Sequence, residues 1–225
     1  MRVLITKETV PEAFNLFCNN QRIRLLKLAF ICFEKVDFAL PHTRFDWIFF
    51  TSPRSVAFFL DNIADVDIMK KVNIACIGNT TKESIEKYGL TVQFTGVNSG
   101  DPHRIAEEFK NRIGESKVLF PQSNRSNRSI QQFLTSAQII DVIVYKTELI
   151  QKKITDTYDV VIFTSPSNVD GFLLENIIPI EISAVISWGK TTSKKLKENN
   201  IPIHQELKTS SFEELQKVMQ RLLTI

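Results

Sequence analysis

The stretch FTSPRSVAFFL at residues 50–60 returns as FTSPSNVDGFL at residues 163–173, an offset of 113 residues. A second pattern follows each copy: IACIGNTTK at 74–82 is matched by VISWGKTTS at 185–193, an offset of 111 residues. Two different patterns that repeat in the same order and at nearly the same interval indicate a duplicated structural unit. The sequence therefore predicts two homologous halves of roughly 110 residues each.

Each pattern predicts a strand, a polar turn and then a helix. The β-prone stretch DWIFF at 46–50 is typical of a buried parallel strand. Ser52 is a favourable helix N-cap, and Pro53 suits the first helical position, where no backbone N–H is needed. A strand at 73–77, a polar turn and a helix that ends at Gly89 are predicted in the same way. Since a helix N-terminus combines free N–H groups with the positive end of the helix dipole, such turns are suited to binding anions.

Composition narrows the classes of protein to which the chain can belong. Of its 225 residues, 43% are apolar, as in an ordinary soluble globular protein, and the net charge of +3 is too small to favour nucleic acid as the main partner. Cys18, Cys32 and Cys76 lack metal-binding or redox spacing, which predicts buried, reduced thiols in a cytosolic protein. Met1 leads directly into a predicted strand, and no apolar run approaches the roughly 20 residues of a membrane-spanning helix. We therefore expect a cytoplasmic protein without membrane contact and, since no stripe of residues resembles an exposed dimer face, a monomer.

From residue 46 onwards, predicted strands and helices alternate, which indicates parallel sheets flanked by helices and an α/β fold class. Residues 22–38 also favour extended structure. The predicted strands lie at 2–6, 46–50, 73–77, 91–95, 117–120, 138–149, 159–163 and 183–187. The predicted helices lie at 11–19, 53–62, 80–88, 102–113, 126–135, 166–176, 190–199 and 211–223.

Counting these elements predicts that the first domain is discontinuous. The half after Thr147 has too few strands before its FTSP pattern, and the N-terminal strand and helix would supply the missing ones. We therefore predict one domain of residues 1–34 and 149–225, with a second domain of residues 37–146 inserted. The two crossings are both extended and are expected to pair as a two-stranded β ladder (near 30–38 and 142–150). The cleft between the two domains is the expected site.

Several common kinds of catalytic site find no support in the sequence. His42, His103 and His204 are scattered, and none has a second potential metal ligand at a useful spacing, so surface histidines are expected. No glycine-rich nucleotide loop, no nucleophile elbow and no catalytic triad can be picked out. We therefore expect no metal site, no nucleotide-binding loop and no catalytic triad.

Hydroxyl groups, in contrast, follow the predicted strands of both halves. Open α/β sheets bind ligands at the carboxyl ends of their strands, so these hydroxyls indicate a site for a polyanion. Each of them can also be explained as a helix N-cap alone, and that alternative stays open. Lysine and arginine side chains near the same edges would supply positive charge, although surface solvation explains any one of them equally well. The hydroxyls are those of Thr6, Thr51, Ser52, Thr80, Thr81, Thr164, Ser165, Thr191 and Thr192, and the cations are Lys7, Arg54, Arg125, Arg128 and Lys190.

Two further stretches have both a functional and a structural interpretation. LFPQSNRSNR at 119–128 predicts a strand followed by a helix with two arginines near its start, either an anion clamp or a solvated polar turn. Tyr145 is the single polar aromatic residue in the apolar run that crosses between the domains. Its hydroxyl could serve as a hydrogen-bond donor or weak general acid, or its ring could simply pack on the sheet.

The two repeated patterns, the LFP turn at 119–121 and VYKT at 144–147, in this order and spacing, resemble the uroporphyrinogen-III synthase family. The resemblance extends over essentially the whole chain and implies two related α/β domains joined by a two-stranded β ladder. It also implies a reaction without a cofactor, in which the linear tetrapyrrole hydroxymethylbilane is closed to uroporphyrinogen III with inversion of ring D and loss of water. Transient contact with hydroxymethylbilane synthase is a further expectation. The alternative is a non-catalytic two-domain module that binds a tetrapyrrole or another small polyanion.

The resemblance also implies roles for individual residues. Tyr145 matches the tyrosine that helps the hydroxyl group of the substrate to leave, as a general acid. Polar groups at strand ends and helix starts would bind the carboxylates of the tetrapyrrole. The implied substrate-binding residues are Thr6, Lys7, Thr51, Ser52, Ser55, Thr80, Thr81, Arg125, Ser165, Ser167, Asn168, Lys190, Thr191 and Thr192.

The chain departs from the family pattern at three places. Lys7 stands where the family often has arginine, which keeps the charge but loses the forked guanidinium. Gln122-Ser123 replaces a frequent Arg-Gly, so the expected anion contact moves to Arg125 or Arg128. Trp188 is bulkier than expected beside a ligand-binding turn.

Overall fold

A computed structural model of the protein describes residues 1–63, 66–97 and 101–223. In chain order, its elements are β1 (Arg2–Ile5), α1 (Glu12–Asn20), β2 (Arg24–Lys27), β3 (Ile31–Lys35), β4 (Trp47–Phe50), α2 (Pro53–Leu60), β5 (Asn73–Cys76), α3 (Asn79–Glu86), β6 (Phe94–Thr95), α4 (Pro102–Ile113), β7 (Val118–Ser123), β8 (Ile139–Leu149), β9 (Val160–Phe163), α5 (Pro166–Leu173), β10 (Ala184–Ser187), α6 (Lys190–Glu198), β11 (Gln205–Glu206) and α7 (Phe212–Leu223). Short 3₁₀ helices lie at Val66–Lys71 and Gln131–Phe133.

The elements form two sheets, which belong to two units of the chain. One unit comprises Met1–Cys32 and Glu148–Ile225, and its five-stranded parallel sheet has the order β11-β10-β9-β1-β2. The other comprises Phe33–Thr147, with the six-stranded order β3-β8-β7-β4-β5-β6. The chain passes between the units within β3 and again within β8, and these two strands are neighbours in the sheet. The predicted α/β fold class, with parallel sheets flanked by helices, is confirmed.

Helices cover both faces of each sheet. Alternate residues of a strand point to opposite sides, so the side chains on both sides are buried. In β4, Ile48 and Phe50 belong to a core with α2 and α3, whereas Trp47 and Phe49 pack with α4. The five-stranded sheet has α1 and α7 on one face and α5 and α6 on the other. Burial on two sides explains why the strands are apolar throughout instead of alternating.

Three helices end in the same way before the chain enters the next strand. A residue in the left-handed region, with φ of +53°, +73° or +56°, is followed by a buried aliphatic residue; the pairs are Arg22–Ile23, Gly89–Leu90 and Asn200–Ile201. Such a residue stops the helix, and the apolar residue after it packs against the last turn. Gly89 and Asn200 are 111 residues apart, so the duplication includes the helix ends.

The duplication also includes a side chain that completes each parallel ladder. In one sheet, the Ile74 N–H donates to Gln93 Oε1 at 2.7 Å, and the Gln93 N–H donates to the Ile74 carbonyl at 2.8 Å. In the other, the Val185 N–H donates to His204 Nδ1 at 3.0 Å, and the His204 N–H donates to the Val185 carbonyl at 3.0 Å. Gln93 and His204 are again 111 residues apart. His204 is exposed, as the sequence predicts, but it also fastens the edge of its sheet.

This pair of residues leads to a stability prediction. His204→Ala should lower the free energy of unfolding by about 1 kcal/mol, because the Val185 N–H loses its acceptor. His204→Gln should keep most of the stability, since glutamine has the same role at position 93. Urea unfolding at neutral pH of the two variants and the unchanged protein measures both effects. Equal stability of His204→Ala and the unchanged protein would show that water replaces the imidazole without loss.

The predicted helix at 126–135 is wrong. β7 continues to Ser123, turns follow, and only a 3₁₀ helix forms nearby, at Gln131–Phe133. Ser123 Oγ accepts the Arg125 N–H and Ser126 Oγ accepts the Arg128 N–H, both at 3.2 Å, so side chains compete with the helix for backbone donors. Arg128 also has φ of +51°, which an α-helix does not allow.

Two predicted strands have different lengths in the structure. The strand at 91–95 is reduced to Phe94–Thr95, and the strand at 117–120 extends to Ser123 through Pro121. Proline is tolerated there because β7 pairs with β4 only as far as Leu119, so beyond that residue one side of the strand needs no N–H donor. β11 and the 3₁₀ helix at Val66–Lys71 are elements that the sequence did not predict.

Candidate functional site

The two FTSP turns are built alike. Ser52 Oγ accepts the Ser55 N–H at 3.1 Å, and Ser165 Oγ accepts the Asn168 N–H at 3.2 Å. Each cap is followed by a proline in the first helical turn. Both serines are therefore helix N-caps, as predicted, and both remain half-buried at the carboxyl end of a strand.

The two Gly-x-Thr-Thr turns differ from that arrangement. The N-caps of α3 and α6 are the glycines 78 and 189, and neither helix has a side-chain cap. Thr81 and Thr192 are buried, whereas Thr80, Thr191 and Lys190 are exposed in the first turns of their helices. Because no side chain caps these starts, their outer N–H groups and the exposed hydroxyls are available to an anion.

Several other predicted binding residues lie inside the five-stranded unit. Thr6 is fully buried; its Oγ1 accepts the Thr164 N–H at 2.9 Å, and its carbonyl accepts the Thr164 hydroxyl at 2.7 Å. Asn168, 4% exposed, accepts the Phe30 N–H at 2.9 Å and donates to Ser165 Oγ at 2.9 Å. These two residues tie strands and turns together. Ser167 is half-buried, and Lys7 is exposed with its Nζ 5.6 Å from the centroid of the Phe212 ring.

In the six-stranded unit, the expected anion clamp is engaged within the protein. Arg125 Nε donates to the Thr147 carbonyl at 3.2 Å, and Arg128 forms a 2.8 Å ion pair with Asp141. Gln122, at the position of a family departure, is buried and accepts from Gln131 Nε2 at 2.8 Å. The structure therefore does not bring the two arginines to a helix start. Nearby, Ser55 is fully buried and donates to the Ser52 carbonyl at 2.8 Å, while Thr51 is half-buried.

Tyr145 lies in β8 at a break in the strand register. Gln122 pairs with Ile143 but Ser123 pairs with Tyr145, so Val144 is an extra residue in β8. Such bulges change the direction of the side chains that follow. The Tyr145 ring stacks on Phe58, with centroids 5.0 Å apart and planes at 17°, and meets the edge of Phe33 at 6.0 Å and 67°. Tyr145 is 8% exposed, and its ring is thus held on two sides.

Arg54 completes this group of side chains. Its guanidinium carbon lies 3.4 Å from the centroid of the Phe33 ring, a cation–π contact. Burial lowers the pKa of Arg54 below its ordinary value, and the neighbouring Tyr145 opposes that shift. The guanidinium nevertheless stays charged at neutral pH. The sequence pointed to Arg54 and Tyr145 separately, but it did not indicate that Phe33 and Phe58 bring them together.

The cysteines have no catalytic setting. Burial raises the pKa of the Cys18 thiol to about 11 and also raises the pKa of Cys76. Cys32 is half-buried, and all three thiols are free. In the part of the chain that the structure describes, no three His, Cys, Asp or Glu side chains are arranged to hold a metal ion. Among residues 1–63, 66–97 and 101–223, no helix has the length and apolar character to cross a membrane.

Thiol reactivity checks the state of the cysteines. At pH 8, Cys32 should react first with an aromatic disulfide reagent, because it is more accessible than the other two thiols and burial raises the pKa of Cys18 and Cys76. Cys18 and Cys76 should react only after the protein unfolds. Cys32→Ser should abolish the fast phase; a fast phase that persists in this variant would contradict the burial of the other two.

Comparison with known proteins gives one consistent family. The family model described as Uroporphyrinogen-III synthase HemD matches residues 25–216. The uroporphyrinogen-III synthase of Chlorobaculum parvum is 25% identical over 180 residues, which cover 72% of this chain and 73% of that protein.

Two solved structures share the fold. Uroporphyrinogen-III synthetase of Helicobacter pylori aligns with a TM-score of 0.73 at 19% identity, over 99% of this chain and 100% of its own. A mutant uroporphyrinogen III synthase of Thermus thermophilus aligns with a TM-score of 0.62 at 12% identity, over 100% of this chain and 99% of its own. Since the family model matches well over half of the sequence, including both copies of the repeat, this chain belongs to the uroporphyrinogen-III synthase family, whose members act in tetrapyrrole biosynthesis.

Proposed function

We propose that the protein is a cyclising lyase that converts hydroxymethylbilane to uroporphyrinogen III, with inversion of ring D, loss of water and no cofactor. The observation that carries this proposal is the setting of Tyr145, a tyrosine whose ring is held by two aromatic rings, one of which also carries a guanidinium, in a chain of this family. A tyrosine hydroxyl can donate a proton and then recover it within one turnover. That is the chemistry which the departure of a hydroxyl group requires.

In the proposed reaction, Tyr145 donates its proton to the hydroxymethyl oxygen of the substrate. The carbon–oxygen bond breaks, water leaves, and the terminal ring becomes an azafulvene. This ring bonds to the α carbon of ring D that already carries the bridge to ring C, which gives a spiro intermediate. The old bond between the bridging carbon and that α carbon breaks, and the bridging carbon bonds to the other α carbon of ring D, so that the ring is inverted. The proton that this second α carbon loses when the pyrrole is restored returns to the phenolate. Atoms balance, since one substrate molecule yields one product molecule and one water. The enzyme mainly has to orient ring D, because hydroxymethylbilane also closes spontaneously without inversion.

The carboxylates of the substrate need binding groups that are accessible. We assign this role first to the exposed starts of α3 and α6, with Thr80, Thr191 and Lys190, and to the exposed Lys7. These positions combine N–H groups, hydroxyls and positive charge, which suits carboxylates. The half-buried Thr51, Ser52, Ser165 and Ser167 come next.

The buried residues of the predicted set contribute in another way. Thr6, Ser55, Thr81, Asn168 and Thr192 are at most 4% exposed, so we assign them to holding the turns in shape. Arg125 binds the carbonyl of Thr147 and has a similar supporting role.

The proposal includes a partner, a cellular location and an oligomeric state. Hydroxymethylbilane is unstable, so brief contact with hydroxymethylbilane synthase would limit its spontaneous closure. Separately, we propose that the protein acts in the cytoplasm and as a monomer.

A coupled assay tests the function. Freshly generated hydroxymethylbilane is added to the purified protein, the products are oxidised, and the type I and type III porphyrins are separated by chromatography. We expect mainly type III, whereas the same mixture without protein should give type I. Only type I from a folded protein would reject the proposed activity. Tetrapyrrole binding without turnover would then favour the non-catalytic module.

A further inference from the structure

The two copies of the FTSP pattern differ on one helix face. α2 has Arg54 and Phe58, which lie four residues apart and therefore on the same side of the helix. At the corresponding positions of α5, the chain has Ser167 and Gly171. The two copies thus show which features the strand–turn–helix unit needs in both places and which belong to one copy only.

In the second copy, backbone occupies the place that corresponds to the Phe58 side chain. A Cβ atom on Gly171 would lie 2.1 Å from the carbonyl oxygen of Phe30, so no larger residue fits without a shift. Asn168 on the same helix accepts the Phe30 N–H. The fold of this copy is therefore complete without an arginine and an aromatic residue on the helix. Their presence in the first copy needs a different explanation.

In the first copy, the two side chains lie in one group with Tyr145 and Phe33. Phe58 stacks on the Tyr145 ring, and Phe33 meets that ring with its edge. The guanidinium carbon of Arg54 lies over the Phe33 ring, 3.4 Å from its centroid. All four residues belong to the six-stranded unit, and they come from three separate stretches of the chain. The extra residue in β8 immediately precedes Tyr145.

We infer that Arg54, fixed by its contact with Phe33, is a positioning residue for the Tyr145 hydroxyl. This inference rests on the proposed function, in which Tyr145 gives a proton to the leaving hydroxyl group. Phe58 and Phe33 hold the ring, but a ring contact does not set the direction of the O–H bond. A guanidinium beside the ring can do so, because its N–H groups donate to the phenol oxygen and leave the hydroxyl proton for the substrate.

The kinetic test compares Arg54→Met, Arg54→Lys, Tyr145→Phe and the double variant Arg54→Met/Tyr145→Phe in the type III assay. Arg54→Met should lower kcat about tenfold and change KM less than about twofold, since the loss falls on the reacting group. Lysine should not restore kcat, because an ammonium group lacks the flat face that rests on Phe33. The double variant should be as active as Tyr145→Phe alone, since Arg54 acts through the hydroxyl that is already missing.

A matched control is Arg104→Lys. Arg104, like Arg54, is exposed and lies in the first turn of a helix that begins with proline, but it is bonded to Glu108 at 2.8 Å. This variant should retain full activity. If the losses of Arg54→Met and Tyr145→Phe multiply, or if lysine restores activity and Arg54→Met mainly raises KM, Arg54 binds a substrate carboxylate and the inference is wrong.

A spectroscopic readout separates this inference from the proposed activity. The chain has three tyrosines, so the ring carbon signals of ¹³C-tyrosine-labelled protein can be assigned with Tyr145→Phe. Arg54→Met should shift the Tyr145 signal, and Arg104→Lys should leave it in place. An unmoved signal would overturn the inference even if the protein makes type III product. A moved signal in a protein that makes only type I would reject the activity while supporting the contact.

Discussion

Gly171→Ala is expected to destabilise the protein by about 3 kcal/mol or more. In an open helix position the same change would stabilise by up to about 1 kcal/mol, because alanine favours helix over glycine. Here the added methyl group would lie 2.1 Å from the Phe30 carbonyl oxygen and 2.9 Å from the Phe30 Cβ. The sign of the effect therefore depends on the approach of Phe30 to α5, and urea or thermal unfolding measures it.

The control for this prediction is Leu174→Ala. Leu174 follows α5 directly and is 46% exposed, so its truncation should change the free energy of unfolding by less than about 1 kcal/mol. A Gly171→Ala variant that is as stable as the unchanged protein would show that the Phe30 backbone moves aside easily. Because the Phe30 carbonyl also accepts the Ile150 N–H at 2.9 Å, such movement would break a bond between the two segments of this unit.

Tyr145→Phe is expected to lower the turnover of hydroxymethylbilane about tenfold, with the remaining product still mainly type III. The hydroxyl that donates the proton is lost, but the ring, its stacking on Phe58 and its edge contact with Phe33 are kept. Substrate orientation should therefore survive. Steady-state rates with isomer analysis, together with a melting curve that confirms folding, measure the effect.

Two outcomes would contradict this assignment. A folded Tyr145→Phe variant without any activity would give Tyr145 a larger role than that of an assisting acid. Unchanged turnover would remove it from the chemistry, and the proton would have to come from another group. Tyr145→Leu should lose stability as well as activity, because it also removes the aromatic contacts.

The duplication is the feature that made the fold predictable. Strand, capped turn and helix are local structures, and the residues that specify them, such as Ser52 and Pro53, are neighbours in the chain. The order of these elements then predicts the α/β class. At 126–135, serine side chains bonded the backbone in place of the helix that the alternation of strands and helices predicted.

The candidate site was less predictable. The sequence shows many hydroxyls at strand ends, but not which of them face inwards. Thr6 bonds to Thr164 across 158 residues, and Asn168 bonds to Phe30 across 138 residues, so their burial depends on distant partners. Similarly, Phe33 meets Tyr145 only because β3 and β8 lie side by side in the sheet.

The sequence by itself determined that the chain contains two related α/β units, where most of their helices begin, and which family the ordered motifs resemble. The tertiary structure decided which polar groups are buried and that Arg125 and Arg128 are engaged within the protein. It also decided that Phe58 meets Tyr145 and that Arg54 of the same helix meets Phe33. The physical reason is the range of the interactions. Caps and helix stops act over a few residues, whereas packing and hydrogen bonds across a sheet join residues more than a hundred positions apart.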